Sequence, residues 1–199
     1  MSARAEAALE DLARADAYAV LGRLLLAAPD DALLAALRAA RREGDDDLTV
    51  AWNALCAAAA GDATDPIAEY AALFIGIGRP EVELHGSWYL TGFLMEKPLA
   101  ELRDDLARLG LARVDGTTDT EDHVAALMET MRNMILSGAH GEARQARFFL
   151  RHIAPWRSGL CAALRASGAA VFYRGVAEFM GVFLDSEQSY FEVNGVSNP

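Results

Sequence analysis

Apolar residues recur at helical spacing along almost the whole chain, and this periodicity is the strongest constraint on its fold. Leucines and other apolar side chains fall three and four positions apart in successive segments that end at proline or glycine. The strict alternation of apolar and polar residues that marks a half-buried strand is absent. We therefore predict an all-α protein with a single helical fold of about 8–10 helices.

Local signals place several helix starts. Asp30 or Asp31 can cap one helix, and Thr64-Asp65-Pro66 combines a cap with a proline in the first turn. Thr118 and Glu121 have the spacing of a capping box, which predicts a helix that continues to Ile135. Other helices are predicted over 3–27, over 47–60, from Pro98 to Gly110 and around 169–190.

The composition limits the classes of partner. The 199 residues are 53% hydrophobic, which is enough for a sizeable core. Eighteen basic residues against 29 acidic ones give a net charge of -11, which argues against nucleic acid and favours cationic partners. Charged residues near the N-terminus interrupt any signal-peptide core, and no apolar run is long enough for stable membrane insertion. We expect a cytoplasmic protein.

A polar segment with a glycine separates two helical regions. Residues 114–119 read Val-Asp-Gly-Thr-Thr-Asp, a composition typical of a loop or a hinge. The sequence therefore predicts an N-terminal helical lobe over 1–113, a hinge over 114–119 and a C-terminal helical lobe over 120–199.

Two clusters are unusual on a helical background. Trp88 and Tyr89 lie between Gly86 and Gly92, and they can be either core residues or an aromatic surface for a ligand. Asp122-His123 precedes an apolar helix. Asp122 can stabilise a helix N-terminus with His123 packed beneath it, or the pair can line a recess that binds an arginine.

Catalytic and metal-binding patterns are missing from the sequence. The four histidines form no H-E-x-x-H motif, and no paired Glu-x-x-His motif of a di-iron bundle is present. No glycine-rich phosphate loop and no nucleophile elbow occur. We expect a protein that is not an enzyme and that holds neither a metal nor another cofactor.

Five motifs follow one another over about residues 66–160. They are Tyr70-Ala71-Ala72-Leu73-Phe74, Ser87-Trp88-Tyr89-Leu90, Met95-Glu96-Lys97-Pro98, Glu121-Asp122-His123 and His152-Ile153-Ala154-Pro155-Trp156. Their succession resembles the TorD/DmsD/NarJ family of redox-enzyme maturation chaperones, and most closely its TorD/DmsD branch. The loop between Pro80 and Ser87 is longer than the family pattern.

The resemblance implies a TorD-like helical fold in two lobes, as a monomer or a lobe-swapped homodimer. It implies a cytoplasmic chaperone that binds the twin-arginine signal peptide and the apo form of a molybdopterin oxidoreductase. Such a chaperone assists cofactor insertion and holds back export. Which molybdoenzyme is the client stays open, and so does guanine-nucleotide binding. The alternative is a helical scaffold or regulatory adaptor without an export role.

We assign the candidate site on this basis. Trp88, Tyr89 and Leu90 form an apolar wall, and Asp122 with Glu121 faces the arginines of the peptide. His123 holds the junction between the lobes and can tune the local charge. The supporting residues are Tyr70, Phe74, Ser87 and Pro98.

Overall fold

The computed structural model describes residues 3–61, 65–76, 79–111 and 119–194, and these form ten helices and no strand. The predicted all-α fold is confirmed. The helices are α1 Ala3–Leu26, α2 Asp31–Ala39, α3 Asp47–Ala60, α4 Pro66–Phe74, α5 Gly86–Thr91, α6 Lys97–Arg108, α7 Val124–Leu136, α8 Glu142–His152, α9 Arg157–Ala166 and α10 Phe172–Asn194.

Aspartate side chains begin three of these helices. The carboxylate of Asp30 accepts the backbone N–H of Leu33 at 2.7 Å, so the predicted cap of α2 is Asp30. Asp46 does the same for α3, and Asp65 caps α4 directly before Pro66. Each cap satisfies a backbone N–H that has no partner within its own helix.

The start of α7 differs from the prediction. Thr118 lies outside the described residues, and the N-cap of α7 is His123, whose Nδ1 accepts the backbone N–H of Ala125 at 3.2 Å. A histidine ring nitrogen therefore accepts the capping hydrogen bond that the capping-box pattern assigned to a threonine hydroxyl.

The chain divides into two compact units, each built from separate stretches of sequence. The first unit comprises the residues up to Arg23, then His85–Trp156, then the residues from Glu187 onward. The second comprises Leu24–Leu84 and Arg157–Ser186. The predicted lobes 1–113 and 120–199 stay a prediction, and residues 114–118 of the predicted hinge lie outside the described residues.

A buried ionic cluster ties together the distant ends of the first unit. The guanidinium of Arg14 donates to both carboxylate oxygens of Glu187, at 2.7 and 2.9 Å. The hydroxyl of Tyr18 donates to the same carboxylate at 2.9 Å. Burial alone would lower the pKa of Arg14, but the contact with Glu187 raises it above its ordinary value. The Arg14 guanidinium therefore stays charged although it is buried.

A carboxylate also organises the second unit. Glu69 on α4 is buried and accepts the backbone N–H groups of Val171, Phe172 and Tyr173 at the start of α10. These three bonds satisfy backbone N–H donors that have no partner within the first turn of the helix, and a carboxylate at this position suits the helix dipole.

In the described part of the chain no helix is long and apolar enough to cross a membrane.

Candidate functional site

The short helix α5 is held at its N-terminus by Asp122. One oxygen of the Asp122 carboxylate accepts both the backbone N–H and the hydroxyl of Ser87, at 3.0 and 2.5 Å. The backbone N–H of Gly86 donates to the Asp122 carbonyl at 2.9 Å. The hydroxyl of Thr120 donates to the second carboxylate oxygen. Asp122 is thus an N-terminal anchor for a helix that lies 35 positions earlier in the chain.

These bonds also set the charge of Asp122. Its side chain is buried, and burial alone would raise its pKa. The hydrogen bonds from Ser87 and Thr120 outweigh burial, so the net effect lowers the pKa below its usual value. The carboxylate is therefore ionised at neutral pH inside a closed set of donors.

His85 and His123 lie side by side at this junction. Their backbones form an isolated antiparallel bridge, and their ring centroids are 5.0 Å apart. Residues 85–87 and 120–123 are therefore joined by backbone, side-chain and ring contacts at once. Because His123 also caps α7, this junction positions the starts of both α5 and α7.

The Trp156 ring packs against α5. Its indole N–H donates to the carbonyl of His152 at 2.6 Å, and its ring stacks on Tyr89 with centroids 5.9 Å apart. A Cβ added to Gly86 would meet the indole Nε1 at 2.8 Å. Position 86 must therefore be glycine for the helix to lie directly on the ring.

A recess of about 200 Å³ opens between α5, α6, α7 and the end of α8. One part of its lining is apolar, and the other carries both signs of charge. The apolar contacts come from Leu90, Pro98, Leu102, Leu127 and Trp156, and the charged or titratable ones from Glu101, Asp122, Arg151 and His152.

Ion pairs fix the charged part of the recess. Arg151 donates to Glu101 at 3.1 Å and lies 3.0 Å from the carboxylate of Asp105. The Nε2 of His152 lies 2.8 Å from the same Asp105 carboxylate. Burial lowers the pKa of His152 below its usual value, and the bond to Asp105 opposes this effect without cancelling it. His152 is therefore a neutral donor to Asp105 at neutral pH.

Glu121 precedes Asp122 of the recess lining in the sequence and pairs with an arginine. Its carboxylate accepts the guanidinium of Arg103 at 2.9 Å. The Glu121 side chain is largely shielded from solvent, whereas half of the Arg103 side chain is exposed.

Among the described residues, no group of three or more histidine, cysteine, aspartate or glutamate side chains could hold a metal ion.

Comparison with known proteins identifies the family. The sequence model of the nitrate reductase delta subunit family matches residues 25–162, more than half of the chain. The chain belongs to this family. No curated protein sequence matches it significantly. The nitrate reductase delta subunit family lies within the TorD/DmsD/NarJ group of redox-enzyme maturation chaperones, so the predicted group is confirmed.

Membership of the nitrate reductase delta subunit family gives a coarse function, which is chaperoning in the maturation of molybdoenzymes. The matched range includes every candidate site residue. It also begins at residue 25, far before the motifs from Tyr70 onward that carry the resemblance. The TorD/DmsD branch stays a prediction.

The candidate residues fall into two groups in this family member. The first unit contains Trp88, Tyr89, Leu90, Glu121, Asp122 and His123 with the supporting Ser87 and Pro98. Tyr70 and Phe74 belong to the second unit, where their rings lie 5.0 Å apart and both contact Tyr173. That all ten residues serve one peptide site stays a prediction.

Sequence reasoning did not single out Glu101 and Arg151, two of the charged residues of the recess. Glu101 and Arg151 each occupy an ordinary polar position on a helix, and only the approach of α6 to α8 brings them together. His152 and Trp156 did carry a signal, because they form part of the family motif His152-Ile153-Ala154-Pro155-Trp156.

Removing the Asp122 carboxylate should destabilise the protein. Asp122→Ala leaves the Ser87 and Thr120 donors without their buried acceptor, and we expect a loss of about 1.5–3 kcal/mol in the free energy of unfolding. Urea denaturation measures it. Asp46→Ala is the matched control, because Asp46 accepts the same pair of donors from Thr49 at an exposed position and should cost less. Equal losses in the two variants would contradict a special role for Asp122.

Filling the space at position 86 should also cost stability. Gly86→Ala forces a methyl group against the Trp156 indole, and overpacking of this kind costs about 1–3 kcal/mol. Gly168→Ala is the control, because a Cβ there meets nothing within 4 Å. Thermal unfolding of both variants measures the difference, and a Gly86→Ala protein as stable as the wild type would disprove the close contact.

His152 should make stability depend on pH. Its pKa in the folded protein lies below the value of about 6.5 in the unfolded chain. Between these two values the unfolded state binds more protons, so the free energy of unfolding falls as the pH drops below about 6.5. His152→Gln keeps an N–H donor for Asp105 but removes the titration. Urea denaturation between pH 7.5 and 5.0 should show a shallower slope for the variant, and an unchanged slope would exclude His152 as its source.

Proposed function

We propose that this protein is a cytoplasmic chaperone that binds the twin-arginine signal peptide and the apo form of a molybdopterin oxidoreductase. In this proposal it assists cofactor insertion and holds back export of the client, as in the TorD/DmsD branch. The observation that carries the proposal is the recess of the first unit, where an apolar wall and carboxylates adjoin α5. A twin-arginine peptide, with its arginine pair followed by an apolar stretch, needs both kinds of surface.

The carboxylates around the recess already bind guanidinium groups of the chain itself. Glu121 pairs with Arg103, and Glu101 pairs with Arg151, each at about 3 Å. Such charge-assisted bonds suit the planar fork of arginine better than the compact ammonium of lysine. The net charge of -11 also raises the encounter rate with a cationic peptide.

The geometry supports different roles for the two acidic neighbours. The carboxylate of Asp122 is enclosed by Ser87 and Thr120 and fixes the direction of α5. We therefore assign it a positioning role, through which Trp88, Tyr89 and Leu90 are presented to the peptide. Glu121 is the carboxylate that we assign to direct contact with a client arginine, which would exchange with Arg103.

The remaining expectations belong to the same proposal. His123 joins the starts of α5 and α7 and tunes the charge there. Ser87 and Pro98 support the recess, and Tyr70 and Phe74 are the other two supporting residues of the proposal. The protein works as a monomer or as a lobe-swapped homodimer, without a metal or another cofactor of its own.

Peptide titration tests the proposal. The full chain should bind a synthetic peptide with an arginine pair and an apolar stretch at least about tenfold more tightly than the same peptide with a lysine pair. Glu121→Gln should weaken binding of the arginine peptide about five- to tenfold, since it removes a charge-assisted contact. Isothermal titration calorimetry measures both effects.

Glu129→Gln is the matched control for this experiment. Glu129 lies on α7 and pairs with Arg132 at 2.9 Å, but its side chain is exposed. This variant should bind like the wild type. Equal affinity for the two peptides, or no binding of either, would contradict the proposal and favour an adaptor without an export role.

A further inference from the structure

The connection between α5 and α6 exposes a run of large apolar side chains. Leu90, Phe93, Leu94 and Met95 are 41%, 68%, 44% and 73% exposed. We call residues 90–95 the apolar edge. Three consecutive exposed apolar residues are avoided in stable monomers unless they serve an interaction.

The backbone holds the apolar edge in a defined conformation. Gly92 adopts the left-handed region with φ 79° and donates to the carbonyl of Trp88 at 2.8 Å. The hydroxyl of Thr91 bonds to both the carbonyl and the N–H of Phe93. Met95 has φ 59°, a conformation that is strained for a residue with a side chain, and no other described non-glycine residue has positive φ.

The apolar edge continues the lining of the recess. Leu90 and Thr91 line the recess at the start of the edge, and Pro98 lines it shortly after the edge ends. Residues 92–96 therefore form a loop between two helices that both line the recess. A ligand in the recess that carries an apolar extension has this loop as its neighbouring apolar surface.

Charge decides between the possible occupants. Glu96 and Lys97 follow the apolar edge directly, Glu101 and Asp122 line the recess together with Arg151, and the whole chain carries a net charge of -11. A second copy of the chain and an anionic membrane surface carry the same sign of charge, so charge favours neither of them as the occupant of the edge. A polypeptide with cationic side chains beside an apolar stretch complements both the carboxylates and the edge.

We propose that the apolar edge is the docking surface for the apolar stretch that follows the arginines of the client peptide, with Phe93 and Met95 as its main contacts. This inference rests on the proposed function and divides the peptide between two surfaces. The arginines are held by carboxylates beside the recess, and the apolar stretch lies along residues 90–95.

Two synthetic peptides separate these surfaces. Both carry the same arginine pair, followed either by about 12 leucine and alanine residues or by a stretch in which serines replace the leucines. Phe93→Ala and Met95→Gly in the full chain should each weaken binding of the leucine peptide about fivefold or more. Neither should change binding of the serine peptide beyond about twofold.

Ile75→Ala is the matched control, because Ile75 is 68% exposed, as Phe93 is, and lies in the second unit. It should leave binding of both peptides unchanged. Met95→Gly also relieves the positive φ, so it should be at least as stable as the wild type in urea. Loss of peptide binding in that variant would then come from the missing side chain and not from unfolding.

The outcomes distinguish the two proposals. A wild-type protein that binds neither peptide overturns the proposed function together with this inference. If Phe93→Ala and Met95→Gly both bind the leucine peptide as tightly as the wild type does, this inference alone is overturned.

Sedimentation velocity and flotation with neutral vesicles test for the other two occupants, a second copy of the chain and a membrane. Self-association or vesicle binding that Phe93→Ala abolishes, with peptide affinity unchanged, would assign the edge to a second copy or to a membrane and overturn the inference.

Discussion

The contact between Asp122 and the start of α5 is the interaction on which the candidate site depends. A helix of six residues is far below the length at which helices are stable alone. Its direction is set by Asp122, which accepts the first N–H groups, and by Trp156, which lies against Gly86. The tryptophan, tyrosine and leucine that follow have a fixed orientation only because these two contacts hold the first turn.

The same contact gives Asp122 and its neighbour Glu121 different physical roles. A carboxylate that holds three donors in a buried place gains stability from its charge but has little capacity left for an external arginine. Glu121 is one residue earlier, and its carboxylate pairs with the half-exposed guanidinium of Arg103. Neighbouring acids in one motif can thus have separate physical roles, one in building the surface and one in binding through it.

Local chemistry made most of the fold predictable, whereas the site depends on long-range contacts. Asp30 and the Asp65-Pro66 pair predict the starts of α2 and α4 through interactions within one helical turn, and the structure confirms both helix starts. No such signal marks α5, because its cap comes from Asp122, 35 positions away. His152 meets Asp105 across 47 positions, so the charged side of the recess follows from the packing of α6 against α8. Periodicity cannot show which polar residues such packing will join.

Consecutive exposed apolar side chains and backbone strain coincide in one stretch of the chain. Phe93, Leu94 and Met95 are all exposed, and the backbone at Met95 is in a region that costs energy for any residue with a side chain. Polar residues in this loop would remove the exposed surface, and a glycine at position 95 would remove the strain. A loop that keeps both costs beside a recess of mixed apolar and acidic character is better explained by a partner than by the stability of the free chain. In the proposed complex, the hydrogen bonds of Thr91 and Gly92 hold this loop in one conformation before the partner binds, which reduces the entropic cost of binding.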